Sequence, residues 1–335
     1  MTAPLVKVDA IVRSYRMRSG MFGRVTDLRA VDGVSFDIRR GETLGLVGES
    51  GSGKSTTGRM VLGLEAPDSG SVAFDQAAMP TTGSAAWRSQ RARMQMIFQD
   101  PLSALDRRWP IARQVREPLD IHAIGDAASR AVRTDELLRS VGLSHDQGLR
   151  YPHELSGGQR QRAVIARALA TRPDFLVCDE PVSALDVSIQ AQVINLLVDL
   201  QAELGLAMLF ISHDLRVVRQ ISRRVAVMYL GRIVELGDAD HLFAAPQHPY
   251  TRALVSASPA PGRRSTERIV LTGDPPNPAA RPAGCAFHPR CSHAFARCRL
   301  ESPTLVAIAP DRSVACHLTD TDTGTVSAAA SEAAA

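Results

Sequence analysis

The chain has 335 residues, of which 44% are hydrophobic and 22% charged, a balance typical of a globular protein and unlike a disordered or collagen-like one. Its length predicts about two domains, or one large core with an appendage. No apolar run reaches the ~18 residues that span a bilayer, and charges from Lys7 onward exclude a secretory signal, so we expect a cytosolic chain. A net charge of +4 and 4% aromatic residues give no argument for a nucleic-acid partner.

Short apolar runs alternate with helical patterns from Leu5 to about Gly237, which predicts an α/β nucleotide-binding core. We expect strands at residues 34–38, 44–47, 175–178 and 208–211. Two later runs, residues 225–229 and 232–235, flank the pair Leu230-Gly231 and predict an antiparallel hairpin.

The remaining segments differ from this alternation and set the predicted domain limits. Arginine-rich helical patterns predict a helical subdomain inserted at about residues 100–165 of a core that covers residues 1–245. Prolines recur between Pro246 and Pro289, so we expect mostly extended linker there, within an extension that covers residues 246–318. The Thr-, Asp-, Ser- and Ala-rich residues 319–335 predict a disordered tail.

The strongest local motif follows the predicted strand at residues 44–47. Residues 48–55 match the pattern G-x-x-x-x-G-K-[ST], in which glycines let backbone N–H groups turn toward phosphate oxygens. In such a loop Lys54 reaches the β- and γ-phosphates, and the Ser55 hydroxyl contacts Mg²⁺. The alternative is an ordinary glycine-rich turn, but the strand before it and the helix after it favour NTP binding.

Several other short motifs occur in order along the chain. Gln99 follows a predicted strand, and residues 155–159 read Leu-Ser-Gly-Gly-Gln, which alone predicts only a helix N-cap. Asp179 and Glu180 end the strand at residues 175–178, where one carboxylate can hold Mg²⁺ and its neighbour can orient a water. His213 ends the next strand, and Ser-Ala-Leu-Asp occupies residues 183–186.

Together these motifs resemble those of ABC-type ATPases, and the resemblance covers about 230 residues. It implies an ATP hydrolase with a P-loop NTPase α/β core, an antiparallel β subdomain, the inserted helical subdomain and a small C-terminal cysteine-rich extension. The implied ATP-binding residues are Tyr15, Gly48, Glu49, Ser50, Gly51, Ser52, Gly53, Lys54, Ser55, Thr56 and Gln99.

The resemblance also implies individual roles. Ser55, Gln99 and Asp179 would surround Mg²⁺. The implied catalytic residues are Lys54, Glu180, which would polarise the attacking water, and His213, which would contact the γ-phosphate. The implied residues that act across a dimer are Ser156, Gly157, Gly158 and Gln159, facing the nucleotide of a second subunit, and Asp186. Tyr15 would stack on adenine, with Phe22 as the competing aromatic and packing in the edge sheet as the alternative for Tyr15.

Longer strings at residues 30–36, 96–101, 186–193 and 248–254 resemble the ATPases of oligopeptide and dipeptide importers, and residues 178–183 resemble the second of their two paralogues. This implies a peripheral subunit at the cytoplasmic face of the plasma membrane. Its implied partners are a paralogous ATPase or a second copy, two permease subunits and, indirectly, a substrate-binding protein. The alternatives are a motor for nickel, glycans or another small solute, and a non-transport ABC ATPase. Residues 106–110 depart from the family pattern where the permease would dock.

Four of the five cysteines cluster near the C-terminus, at Cys285, Cys291, Cys298 and Cys316. Their spacing matches no common zinc ribbon, yet four thiolates suit a Cys₄ zinc site or an iron–sulfur cluster. The importer resemblance implies a [4Fe–4S] cluster, with zinc as the alternative. Cys178, inside a predicted strand, is expected to pack as a small hydrophobe.

Overall fold

A computed structural model describes residues 3–18, 25–257 and 269–319. Phe22 and the tail residues 320–335 lie outside these ranges. No helix within the described ranges is long and apolar enough to cross a membrane.

The described residues contain twelve strands in two sheets. They are β1 Val6–Arg18, β2 Val25–Ile38, β3 Thr43–Val47, β4 Ser69–Phe74, β5 Ala77–Ala78, β6 Met94–Ile97, β7 Phe175–Asp179, β8 Ala207–Ser212, β9 Arg224–Tyr229, β10 Arg232–Asp238, β11 Val306–Ala309 and β12 Arg312–Val314. The smaller sheet has the order β2-β1-β4-β5 and the larger β11-β12-β10-β9-β3-β8-β7-β6.

Twelve α-helices accompany these strands in the described part of the chain. They are α1 Lys54–Val61, α2 Ala85–Arg93, α3 Pro101–Ala104, α4 Ile111–Ile121, α5 Ala127–Ser140, α6 His145–Leu149, α7 Gly157–Leu169, α8 Val187–Leu204, α9 Leu215–Ile221, α10 Ala239–Ala244, α11 Pro249–Ser256 and α12 Ala296–Leu300.

The centre of the larger sheet is parallel, from β9 through β3, β8 and β7 to β6. Every residue of β3, β7 and β8 is buried, as expected for continuous apolar runs covered on both faces. Parallel strands end at a common edge, so the residues that follow Val47, Asp179 and Ser212 meet there. The strands predicted at residues 34–38, 44–47, 175–178 and 208–211 are confirmed.

The predicted hairpin is also confirmed, since β9 and β10 pair antiparallel around Leu230 and Gly231. Both turn residues have positive φ, 43° and 82°, which suits the right-handed twist of a two-residue hairpin. The turn also contacts the smaller sheet, because the Asp32 N–H donates to the Gly231 carbonyl at 2.9 Å. Between β6 and β7 lie α3 to α7, with no strand among them, where the helical insertion is predicted.

The expectation of mostly extended linker after Pro246 is wrong for residues 249–256, which form α11. His248 caps this helix, because its ring Nδ1 accepts the Tyr250 N–H at 3.0 Å, and Pro249 occupies the first turn, where a missing N–H costs nothing. Two strands that the sequence pattern did not predict, β11 and β12, then extend the larger sheet beyond β10. The C-terminal extension thus continues the core sheet.

His248 gives the fold a predictable acid sensitivity. Burial first, and then the Arg252 charge, lowers the pKa of His248 from 6.5 to about 3. The unfolded chain therefore binds one more proton than the folded chain between these values, and stability falls as pH drops below about 6.5. We expect this group alone to reduce the unfolding free energy by about 2 kcal/mol between pH 7 and pH 5.

The measurement is urea unfolding of the wild-type chain and of His248→Asn at both pH values. Asparagine keeps a capping acceptor without a titrating ring, so its stability should change less between pH 7 and pH 5. Equal pH dependence in the two proteins would contradict this assignment.

Candidate nucleotide-binding site

A cavity of about 600 Å³ opens at the carboxyl edge of the parallel strands, large enough for a nucleotide. It is lined by Tyr15, Leu28, Ala30, Ser50, Gly51, Gly53, Lys54, Ser55, Thr56, Gln99, Glu180 and His213. Ten of these residues belong to the sequence-predicted ATP and catalytic set, and Leu28 and Ala30 are additional.

The loop after β3 depends on glycine at two positions of close approach. A Cβ atom at Gly53, where φ is 99°, would lie 2.2 Å from the Ala30 carbonyl oxygen. A Cβ atom at Gly48 would lie 2.1 Å from the Met228 carbonyl oxygen. Neither backbone oxygen can move aside without breaking the sheet, so any larger residue would displace the loop. The loop leads directly into α1 at Lys54, whose N-terminus favours anions.

Lys54 is 5% exposed, and its ammonium group lies inside the loop. Its Nζ donates to the carbonyl oxygens of Gly48 at 2.8 Å and Glu49 at 3.0 Å. Burial lowers the pKa of Lys54, and the nearby charges of Glu180, Asp179 and Glu49 oppose that shift. The cavity therefore contains a cation whose positive charge is poorly solvated by water. The negative charge of a triphosphate can compensate it.

Ser55 and Asp179 bring two oxygen donors together beside Lys54. The Ser55 hydroxyl donates to Asp179 Oδ1 at 2.9 Å. Burial raises the pKa of Asp179, and the neighbouring Glu180 charge adds to the shift, while the Ser55 hydrogen bond opposes it. A buried carboxylate beside a second carboxylate and a hydroxyl is an environment that a divalent cation stabilises, so these residues fit Mg²⁺.

Glu180 is the centre of a small polar network at the end of β7. Its Oε2 accepts the Gln99 Nε2 hydrogen at 3.1 Å and lies 3.2 Å from His213 Nδ1. Its φ is 47°, a left-handed conformation that is uncommon for a non-glycine residue and recurs at functional sites. Gln99 and His213, each from a separate strand end, thus both contact the carboxylate of Glu180.

Tyr15 lies on β1 at the side of the cavity formed by the smaller sheet. Its hydroxyl donates to Glu65 Oε1 at 2.7 Å, and the Arg13 guanidinium lies 5.2 Å from the ring centroid. The ring is half-buried and held from one side, so its position suits stacking on a base better than packing in a closed core.

The remaining predicted residues do not line this cavity. Ser156 caps α7, with its backbone N–H donating to Gln159 Oε1 at 2.9 Å and its Oγ accepting the Gln159 N–H at 3.3 Å. Gly158 packs on Ile189, and Asp186 is the exposed N-cap residue of α8. The ends of α7 and α8 therefore form a separate surface, outside the described cavity.

Glu49 is also turned away from the cavity, toward residues that carried no motif for this role. Its N–H donates to the Tyr250 hydroxyl at 2.9 Å, and its carboxylate accepts both 2.9 Å and 3.1 Å hydrogen bonds from Arg290 Nη1. The sequence separations are 201 and 241 residues, so no local pattern could have indicated these contacts.

The four clustered cysteines lie within electrostatic reach of one another. Burial raises the pKa of the Cys316 thiol to about 11, and Cys285, Cys291 and Cys298 add to that shift. Among the described residues, however, no group of three or more His, Cys, Asp or Glu side chains is arranged to hold a metal ion. The geometry as it stands does not fit the predicted cluster. Cys178 is fully buried in β7, as expected.

Comparison with known proteins decides the family. Residues 31–183 match the family model described as ABC transporter, and residues 234–298 match that of the oligopeptide/dipeptide transporter, C-terminal region. A putative peptide import ATP-binding protein of Brucella ovis is 52% identical over 93% of this chain and 97% of its own length. The chain belongs to the ABC transporter family.

A second relative supports the assignment of this ABC ATPase. A putative peptide import ATP-binding protein of Brucella abortus is 51% identical over 94% of both chains. As a member of the family, the chain is an ATP hydrolase.

Solved structures agree with the fold of the ABC ATPase. The ATP-binding cassette MJ0796, solved as a dimer in a post-hydrolysis state bound to ADP and Pi, has a TM-score of 0.63 and 28% identity, and the match covers 70% of this chain and 98% of that one. The protein cbiO1 from Clostridium perfringens, part of the ABC transporter complex cbiONQ, has the same TM-score and identity, with coverage of 72% and 91%. These matches confirm the predicted P-loop ABC fold.

Proposed function

We propose that this chain is the ATP-hydrolysing subunit of a membrane importer for oligopeptides or dipeptides. The observation that carries the proposal is the segment at residues 234–298, which matches the C-terminal region of oligopeptide/dipeptide transporters and contacts the phosphate-binding loop through Tyr250 and Arg290. The printed names of the Brucella relatives point to the same substrate class.

In this role the residues around the cavity position ATP and the attacking water. Lys54 binds the terminal phosphates, Glu180 polarises the water, and His213 contacts the γ-phosphate. Ser55, Gln99 and Asp179 would hold Mg²⁺, which neutralises charge on the phosphates when bound. Little covalent chemistry is required of the protein, because positioning and charge stabilisation carry phosphoryl transfer.

The second half of each ATP site would come from a partner ATPase, either a paralogue or a second copy. The surface formed by Ser156, Gly157, Gly158, Gln159 and Asp186, of which Ser156 and Asp186 are exposed, supports this proposal because it lies outside the cavity of its own chain. The Ser156 hydroxyl can still donate its proton to a phosphate while its oxygen caps α7.

Ser156→Ala should therefore reduce ATP turnover at the site of the subunit that pairs with the variant chain. The expected loss is roughly 10- to 100-fold, the cost of one hydrogen bond to a charged group. Ser144→Ala is the matched control, because Ser144 makes the same capping box with Gln147 on α6. Both variants lose a cap of about 1 kcal/mol. Phosphate release, measured in mixtures of each variant with a Glu180→Gln chain, separates the loss of the contact across the dimer from the loss of the helix cap. Equal losses of turnover in Ser156→Ala and Ser144→Ala would contradict the trans assignment.

The membrane partners would be two permease subunits, with a substrate-binding protein acting through them, at the cytoplasmic face of the plasma membrane. The helical subdomain after Gln99 is the proposed contact. Residues 106–110, whose sequence differs from the family pattern, contain an Asp106–Arg108 ion pair at 2.7 Å. The Arg113 guanidinium lies 3.6 Å from the Trp109 ring centroid. Trp109 therefore packs within its own subdomain.

Reconstitution with a peptide permease and its binding protein tests the transport function. Peptide-loaded binding protein should stimulate ATP hydrolysis and peptide uptake into vesicles. Stimulation by nickel or glycan ligands alone would replace the peptide assignment with one of the alternatives. Turnover that is insensitive to any permease would favour a non-transport ATPase.

The [4Fe–4S] cluster at Cys285, Cys291, Cys298 and Cys316 stays a proposal, with zinc as the alternative. Its support is the mutual proximity of four thiols, and the described arrangement is against it. Anaerobic purification with iron, sulfide and zinc quantification decides between them. A colourless protein without metal would leave four structural thiols.

A further inference from the structure

The C-terminal extension is attached to the ATPase core through three arginines. Arg281 pairs with Asp32, Arg290 with Glu49, and Arg312 with Glu235. Each of these carboxylates belongs to the core, on β2, in the phosphate-binding loop and on β10. One of the three ion pairs, Arg290–Glu49, therefore joins the extension directly to the loop that binds ATP.

The Arg290–Glu49 contact is reinforced by a second bond from the extension. The Glu49 N–H donates to the hydroxyl of Tyr250, which is 0% exposed. The Tyr250 and Phe287 rings lie 5.5 Å apart, and Phe287 is fully buried three residues before Arg290. Both contacts to Glu49 thus come from a packed aromatic cluster, which holds Arg290 and Tyr250 in place.

These contacts fix the backbone on both sides of Glu49. Tyr250 accepts its N–H, while Lys54 Nζ donates to its carbonyl oxygen at 3.0 Å. A phosphate-binding loop works by presenting its N–H groups in a preset direction, and ordering them in advance lowers the cost of binding an anion. Arg290 also neutralises a carboxylate in the loop that would otherwise repel a triphosphate.

We propose that Arg290 and Tyr250 are positioning residues for ATP, acting through the charge and the backbone of Glu49. This rests on the proposed ATP site. The extension then belongs to the nucleotide-binding machinery, although no residue of the extension lines the described cavity itself. Arg290 sets the charge of the loop, and Tyr250 sets its first peptide plane.

The test is a double-mutant comparison in the full chain, with Mg-ATP affinity measured by equilibrium titration. Arg290→Gln leaves the Glu49 carboxylate unpaired, so we expect the Kd for ATP to rise about tenfold. Arg290→Gln combined with Glu49→Gln should return the Kd close to the value for Glu49→Gln alone, because no unpaired carboxylate then remains in the loop. Where a permease-coupled assay is used, KM should rise while kcat stays near the wild-type value.

Arg312→Gln is the matched control, because it removes a buried extension-to-core ion pair at Glu235 and leaves both contacts to Glu49 in place. It should lower the thermal midpoint without changing the Kd. If Arg290→Gln folds poorly, Arg290→Lys keeps the charge and should give a smaller rise. An unchanged Kd in the Arg290 variants, no recovery in the double variant, or an equal rise in the control overturns the proposal. A wild-type chain that binds no ATP overturns the proposed site itself.

Discussion

Glu180→Gln is expected to abolish most ATP hydrolysis while leaving ATP binding intact. Glutamine has the same shape and can still accept from Gln99, whose Nε2 lies 3.1 Å from Glu180 Oε2. It cannot take a proton from water or carry the negative charge that polarises it. Removing such a group typically costs 10²- to 10⁴-fold, so we expect turnover to fall by roughly that factor.

Phosphate release and equilibrium ATP titration on the same preparation separate the two properties. Because hydrolysis would then be slow, ATP should also hold two subunits together, which size-exclusion chromatography detects as an ATP-dependent dimer.

The matched control is Asp174→Asn, at the opposite end of the same strand. Asp174 pairs with Arg93 at 2.6 Å on the surface, and it lies outside the cavity lining. An exposed ion pair contributes little, so this variant should keep both turnover and stability within about 1 kcal/mol of the wild type. Native turnover in Glu180→Gln would show that another group activates the water.

The parts of this protein that the sequence predicts well are local. Residues 44–47 and 208–211 are uninterrupted apolar runs, which are typical of strands buried on both faces, and both are strands. The loop at residues 48–55 lies at a strand end, so its place in the fold follows from the strand. Gln99, Glu180 and His213 were likewise each predicted to follow a strand, and in the fold they lie together.

The parts that the sequence pattern missed depend on contacts between distant residues. Prolines near residue 249 suggested linker, yet one proline in the first turn of a helix is favourable, and His248 supplies the cap. β12 has only three residues, and it is a strand because β10 offers an open edge. The clustered cysteines also illustrate the limit, since four thiols and the family resemblance predicted a metal site that the described geometry does not form.

The extension shows why functional roles cannot be assigned to the ATPase core and the extension from sequence segments alone. Glu49 reads as one ordinary position of a phosphate-binding motif. In the fold, its side chain and N–H belong to contacts with Arg290 and Tyr250, while its carbonyl belongs to Lys54. A motif defines which residues surround phosphate, but the groups that hold the motif in shape come from elsewhere in the chain.

Lys54→Ala should weaken ATP binding more than any other single change in the cavity. The ammonium group is buried, so its charge is poorly solvated before ATP binds, and this burial lowers its pKa. Removing one member of a desolvated charge pair costs about 2–5 kcal/mol, or roughly 30- to 5,000-fold in Kd. The carbonyl oxygens of Gly48 and Glu49 would lose their donor as well, so the loop itself should loosen.

The chain provides an unusually clean control, because Lys7 is its only other lysine. Lys7 is exposed on β1, so Lys7→Ala should bind ATP normally. Amine-directed labelling read by mass spectrometry then reports on two side chains, apart from the N-terminal amine. ATP should protect Lys54 from the label and leave Lys7 unchanged, and Kd values for Lys54→Ala within twofold of the wild type would refute the assignment. Lys54 contacts the loop that Arg290 and Tyr250 hold through Glu49, so the labelling rate of Lys54 should also rise in Arg290→Gln. This one measurement would link the ATP site to the extension.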